Sequence, residues 1–192
     1  MTPRQLIAPL AVVFLAGCSF VRFLHPLFEP RDRIVDPGLL GSWHSTGSRD
    51  SVTLVVTRGK DSQYDLRAEG EDEALSYTFA MGRVGAQLFW DLVPMPASDE
   101  QAFLTPHQFA KVEWADDELL VRMLNEPWFV RQILSGSLTV PYDTVLRNGE
   151  SDTTYVILAR SGELKRIMGI IAADSAAFGE PTRFRRSPAG TP

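Results

Sequence analysis

Ser51-Val52-Thr53-Leu54-Val55-Val56-Thr57-Arg58-Gly59-Lys60-Asp61-Ser62-Gln63-Tyr64-Asp65-Leu66-Arg67-Ala68-Glu69 is the stretch that decides the fold class. Val52, Leu54 and Val56 alternate with Ser51, Thr53 and Thr57. Beyond a Gly59-Lys60-Asp61 turn, Tyr64, Leu66 and Ala68 alternate with Asp65, Arg67 and Glu69. A period of two sends successive side chains to opposite faces, so these residues read as a hairpin with one apolar and one polar face.

The same period continues outward in both directions. Residues 40–45 precede the hairpin as a first strand. Leu75, Tyr77, Phe79 and Met81 follow it, and a turn from Gly82 to Gly85 leads to Leu88, Trp90 and Leu92. Residues 107–114 and 119–124 flank a tight Asp116-Asp117 turn, and residues 153–160, rich in Tyr155, Val156, Ile157 and Leu158, form the eighth run. Two stretches carry the helical period instead. Asn125 is an N-cap residue ahead of Pro127, and Phe129, Val130, Ile133 and Leu134 share a face that ends at Gly136. Ser161 precedes Leu164, Ile167, Met168 and Ile171, spaced i, i+3, i+4, i+7. The reading is a mainly β protein: an eight-stranded antiparallel meander barrel with one helix between strands seven and eight and a second helix at the C-terminal end.

The chain has 192 residues, 44% hydrophobic and 22% charged, a composition that fits one folded domain. Nineteen Lys+Arg against 24 Asp+Glu give a net charge of -5, and a chain of that sign is a poor match for nucleic acid. A single cysteine, Cys18, excludes an internal disulfide framework and any zinc site built on paired thiolates.

Met1-Thr2-Pro3-Arg4-Gln5 carries one cation and precedes the uncharged run from Leu6 to Cys18, which has signal-peptide length and is too short to span a bilayer. Its end, Leu15-Ala16-Gly17-Cys18, resembles the lipobox of bacterial lipoproteins. The resemblance implies a signal peptide over 1–17, acylation of Cys18, and anchoring to membrane lipid. Ser19, where an aspartate retains lipoproteins in the inner membrane, implies the periplasmic face of the outer membrane. The alternative is an ordinary cleaved leader with an incidental cysteine. Residues 18–38, interrupted by Pro26, Pro30 and Pro37, read as a tether whose Phe20, Phe23, Leu24, Leu27 and Phe28 lie against the membrane or pack on the domain. The barrel domain with both helices is expected over 39–178, and 179–192 reads as a frayed tail.

Gly41-Ser42-Trp43 on the first strand resembles the Gly-x-Trp signature of lipocalins, whose tryptophan closes the bottom of the barrel. The 155–160 run before the Ser161 helix resembles that family's last strand, which implies that Arg160 packs across Trp43. The other reading of these two residues is a core tryptophan and an unconnected surface arginine. The family's Thr-Asp-Tyr type motif is absent, and the helix after Asn125 is an addition, so a lipocalin relative with a different closure fits as well. Bacterial lipocalins are often outer-membrane lipoproteins.

Candidate chemistry is sparse. His25, His44 and His107 lack metal-ligand spacing, and no metal or cofactor is expected. Nucleophile elbows, Cys/His pairs and phosphate loops are absent, so an enzyme is not expected. His107 and Asp91 on neighbouring strands form the one candidate pair of titratable groups. Tyr64, Tyr77, Phe79, Trp90, Phe103 and His107 are the candidate ligand-pocket residues, Phe103 lying in a 94–106 loop long enough to act as a lid. Two functions stay open: a lipid-anchored carrier of a small apolar ligand, and a non-catalytic structural or interaction lipoprotein with a filled barrel.

Overall fold

A computed structural model describes residues 21–47, 51–71, 73–95, 106–147 and 152–187. Cys18 and the leader, Phe20, and Phe103 with most of its loop lie outside the described residues.

Eight strands close into an antiparallel barrel: β2 (Gly41–Thr46), β3 (Thr53–Arg58), β4 (Tyr64–Glu69), β5 (Ala74–Val84), β6 (Gln87–Pro94), β7 (Gln108–Ala115), β8 (Glu118–Met123) and β11 (Thr182–Arg186). The first seven are the strands that the alternation predicts, paired in chain order. The eighth is a correction. It comes from the stretch expected to fray, and it bridges β8 and β2, with Phe184 opposite both Leu119 and Ser45. Residues 152–157, expected to close the barrel, instead form β10 (Asp152–Ile157) in a separate three-stranded sheet with β1 (Val21–Phe23) and β9 (Tyr142–Arg147). β1 is drawn from the presumed tether and runs parallel to β10, with Val21 across from Tyr155.

Two α-helices stand between β8 and β11. α1 (Glu126–Leu134) starts as predicted, the Asn125 side chain accepting the Trp128 N–H at 3.1 Å. α2 (Ser161–Ile171) has Arg160 at its N-cap, without a side-chain cap. Ser161, expected as that cap, is the first helical residue, and its hydroxyl donates to the Pro26 carbonyl at 2.6 Å.

Strand parity divides the apolar side chains into two cores. Trp43, Leu54, Val56, Tyr64, Leu66, Tyr77, Phe79, Met81, Trp90, Leu92, Ala110, Val112, Leu119 and Phe184 fill the barrel. Ala80, Val84, Phe89 and Phe109 face outward on β5 to β7 and form a second core with Phe23, Leu27, Phe28, α1 and α2. Residues 21–28 are therefore a strap packed on the barrel wall rather than a free tether. Phe28 lies so close over Gly82 that a Cβ at this position would sit 2.5 Å from the ring, so only glycine fits there. Farther along, the Ile34 N–H donates to the Met81 carbonyl at 2.8 Å. Lys165 of α2 pairs with Asp32 at 2.6 Å, and that hydrogen bond holds the Asp32 carboxyl below its usual range.

Candidate functional site

One end of the barrel is built shut. A 3-10 turn, Pro37–Leu39, is capped by the Asp36 side chain, which accepts the Gly38 N–H, and it leads directly into β2. Leu39 is buried beneath the turn, and the Trp43 indole N–H donates to its carbonyl at 3.0 Å. The Asp36 N–H donates to Tyr64 Oη at 2.6 Å, and the Tyr64 hydroxyl donates to the Asp36 carbonyl at 3.2 Å. Burial raises the Tyr64 hydroxyl above the usual phenol range.

Arg186 completes this closure from β11. Its guanidinium carbon lies 4.2 Å from the centroid of the Trp43 ring, a cation–π arrangement. Its Nη1 donates to the Leu40 carbonyl at 2.7 Å, its Nη2 donates to the Gly38 carbonyl, and its Nε lies 3.4 Å from Asp117 Oδ1. Gly41 sits under that guanidinium with φ +122°, and a Cβ here would come 3.2 Å from Nη1. Both constraints ask for glycine, which gives the Gly-x-Trp pattern its physical reason. The arginine over Trp43 is thus Arg186 and not Arg160. Arg160 is exposed at the start of α2, because the strand before it belongs to the other sheet.

Four of the six candidate pocket residues meet inside the barrel. Tyr64 stacks on Phe79 with centroids 4.8 Å apart and an interplanar angle of 11°, and Phe79 meets Trp90 at 4.5 Å. Tyr77 lines the same interior, where burial pushes its hydroxyl up to about 12, with the charge of Glu73 adding to the rise. The Trp90 indole Nε1 is buried and finds no hydrogen-bond partner among the described residues. Leu75, Leu88, Trp114, Val121 and Met123 pack against this core half-buried.

His107 is a correction: it stands on the outside of the wall, not in the barrel. Asp91 lies between the inward-facing Trp90 and Leu92, so parity turns it outward, where it is 1% exposed. Its Oδ1 is 2.6 Å from His107 Nδ1, and its Oδ2 accepts the Leu27 N–H at 2.8 Å. Separately, the His107 backbone N–H donates to the Phe23 carbonyl at 3.0 Å. The pair thus serves as a latch for the strap, holding residues 23–27 to the outer wall.

Among the described residues no group of three His, Cys, Asp or Glu side chains is placed to hold a metal ion, and no helix is long and apolar enough to cross a membrane. The barrel is apolar inside, with Asp65 and Arg67 exposed on its outer face, the reverse of a membrane-spanning barrel of the outer-membrane type. The chain matches no protein-family model, no curated protein and no solved structure.

Proposed function

We propose that this chain is a lipid-anchored envelope protein, acylated at Cys18, whose barrel is a filled and non-catalytic scaffold presenting its outer surface to partners. The observation that carries the filled-barrel reading is the packing of the interior: Trp43, Tyr64, Phe79, Met81, Trp90, Ala110 and Leu119 are each 0–1% exposed. A cavity of about 300 Å³, the lower end for small-molecule sites, would leave accessible surface on the side chains that line it. The leader sequence and the strap support the anchor, since Cys18 stands three residues before Val21, and three extended residues span at most about 10 Å. The Gly41, Trp43 and Arg186 closure supports kinship with lipocalin-type barrels.

A second reading, a carrier, is favoured by one observation. The buried Trp90 indole N–H has no acceptor among the described residues, which costs stability, and a small apolar ligand bearing a carbonyl or carboxylate would satisfy it. Two measurements test these readings. Metabolic labelling with radioactive palmitate is expected to mark the chain and to be lost in Cys18→Ser; labelling that persists in Cys18→Ser refutes the anchor. Titration with the fluorescent fatty acid cis-parinaric acid, an apolar probe that carries a carboxylate, is expected to show no saturable enhancement. Saturable binding that Trp90→Phe abolishes would establish the carrier instead.

A further inference from the structure

The three-stranded sheet brings the start of the strap and an exposed apolar hairpin to the same end of the sheet. β1 begins at Val21 and runs parallel to β10, with Val21 across from Tyr155, so the chain enters the sheet from the side on which β9 turns into β10. That entry is fixed in place: the Val21 N–H donates to the Glu126 carboxylate of α1 at 3.2 Å, and Val21 itself is buried. At the same end, Leu146 lies across from Thr153 and Val145 across from Thr154, and these two apolar side chains are 63% and 50% exposed. Successive strand residues point to opposite faces, so the end of the hairpin, rather than one face of the sheet, offers the apolar surface.

Given the Cys18 anchor proposed above, we propose that this end of the sheet, with Val145 and Leu146, rests in the headgroup layer of the bilayer that holds the acyl chains. Distance selects the occupant. Cys18 stands three residues before Val21, so the lipid-bearing residue lies within about 10 Å of the start of β1. β9 is two strands over from β1, again about 10 Å at the usual strand spacing, so a bilayer surface that holds Cys18 is within reach of the hairpin end. The outer edge of β9 suits a lipid surface better than an added strand, because the Asp143 carboxylate already accepts the Thr144 N–H at 2.7 Å. Asp143 lies across from Val156, farther from the hairpin end than Val145, and keeps its water when Leu146 enters the headgroups. Two side chains bury too little apolar area to hold a protein on a membrane alone. With acyl chains supplying the attachment, they set how the barrel is oriented above the bilayer.

The test is fluorescence of the full chain, extracted from its native membranes and reconstituted into vesicles of phosphatidylethanolamine and phosphatidylglycerol. Leu146→Cys, Val145→Cys and Lys60→Cys, the last in an exposed turn of the barrel outside this sheet, each carry the environment-sensitive dye NBD. Doxyl-labelled lipid is expected to quench the dye at positions 145 and 146 about threefold more than at position 60, and aqueous iodide to quench it about threefold less. Leu146→Asp in the chain labelled at Val145→Cys is expected to bring about a twofold loss of lipid quenching while the chain stays on the vesicles. All three sites are exposed, and thermal melts check that the barrel is intact. Lipid quenching at 145 and 146 equal to that at 60 overturns the proposal. So does shielding from iodide without lipid quenching, which assigns the hairpin to a protein partner or a second copy. Maleimide labelling of the denatured, unsubstituted chain separates the anchor from the docking. A free Cys18 thiol refutes both, whereas a blocked thiol with position 146 behaving as position 60 does refutes the docking alone.

Discussion

Replacing Asp91 by alanine removes a buried side chain that ties the strap to the barrel wall, one oxygen meeting Leu27 of the strap and the other His107. The carboxylate is buried and accepts the Leu27 N–H at 2.8 Å, and His107 Nδ1 lies 2.6 Å away. Leu27 is itself fully buried, so its N–H finds no water when the acceptor is gone. An orphaned buried donor costs about 1–3 kcal/mol, and the lost bond from His107 to a carboxylate about 1.5–3 kcal/mol. The expected destabilisation of Asp91→Ala is therefore about 2.5–6 kcal/mol, a large part of a typical total of about 5–15 kcal/mol. With a urea slope of about 2 kcal/mol/M, the midpoint falls by about 1.2–3 M. Asp91→Asn keeps an oxygen for Leu27 and offers an N–H to the other imidazole tautomer, so it is expected to cost about 1 kcal/mol or less. Urea denaturation followed by tryptophan fluorescence measures both. A midpoint for Asp91→Ala within 0.3 M of the unsubstituted chain, as an order-of-magnitude margin on that slope, refutes the latch, as does an asparagine variant equal to the alanine one.

Three further outcomes are expected. Arg186→Ala, which loses the contact over Trp43 and the bonds to the Gly38 and Leu40 carbonyls, is expected to cost about 2–4 kcal/mol, whereas Arg160→Ala, at an exposed helix start, is expected to stay within about 0.5 kcal/mol; thermal melts of the two variants check this. Gly82→Ala is expected to cost about 1–3 kcal/mol by driving a methyl group into the Phe28 ring, and adding Phe28→Leu is expected to return part of it, read as a double-mutant cycle. In alkaline titration followed at 295 nm, Tyr77 is expected to ionise at about 12. Because its neutral form is favoured in the fold, the stabilisation is complete below the ordinary phenol value of 10.0 and is lost as the pH climbs towards 12.

The barrel's first seven strands were legible because each carries several apolar residues at a period of two. β11 was not, because Thr182-Arg183-Phe184-Arg185-Arg186 has a single apolar side chain and lies between Pro181 and Pro188. Its assignment comes from long-range pairing with β2 and β8, which a local pattern does not encode. Residues 152–157 show the converse: Tyr155, Val156 and Ile157 announce a strand, but not which sheet it joins. The same displacement moved the arginine. The lipocalin resemblance implied a cation over Trp43, and the fold supplies it from Arg186 because Arg160 follows a strand of the other sheet. The outward placement of Asp91 was available in principle, since it alternates with Trp90 and Leu92. The Trp90 N–H, without a partner among the described residues, was not, because hydrogen-bond satisfaction is a property of the packed interior.

The claim on which the account turns is that the interior of this barrel is filled by its own side chains. Native mass spectrometry of the full chain, released from membranes under gentle conditions, measures this directly. The account predicts a chain carrying no non-covalently bound small molecule. A recurrent non-covalent small molecule that dissociates on collisional activation, and is absent from Trp90→Phe, would contradict it.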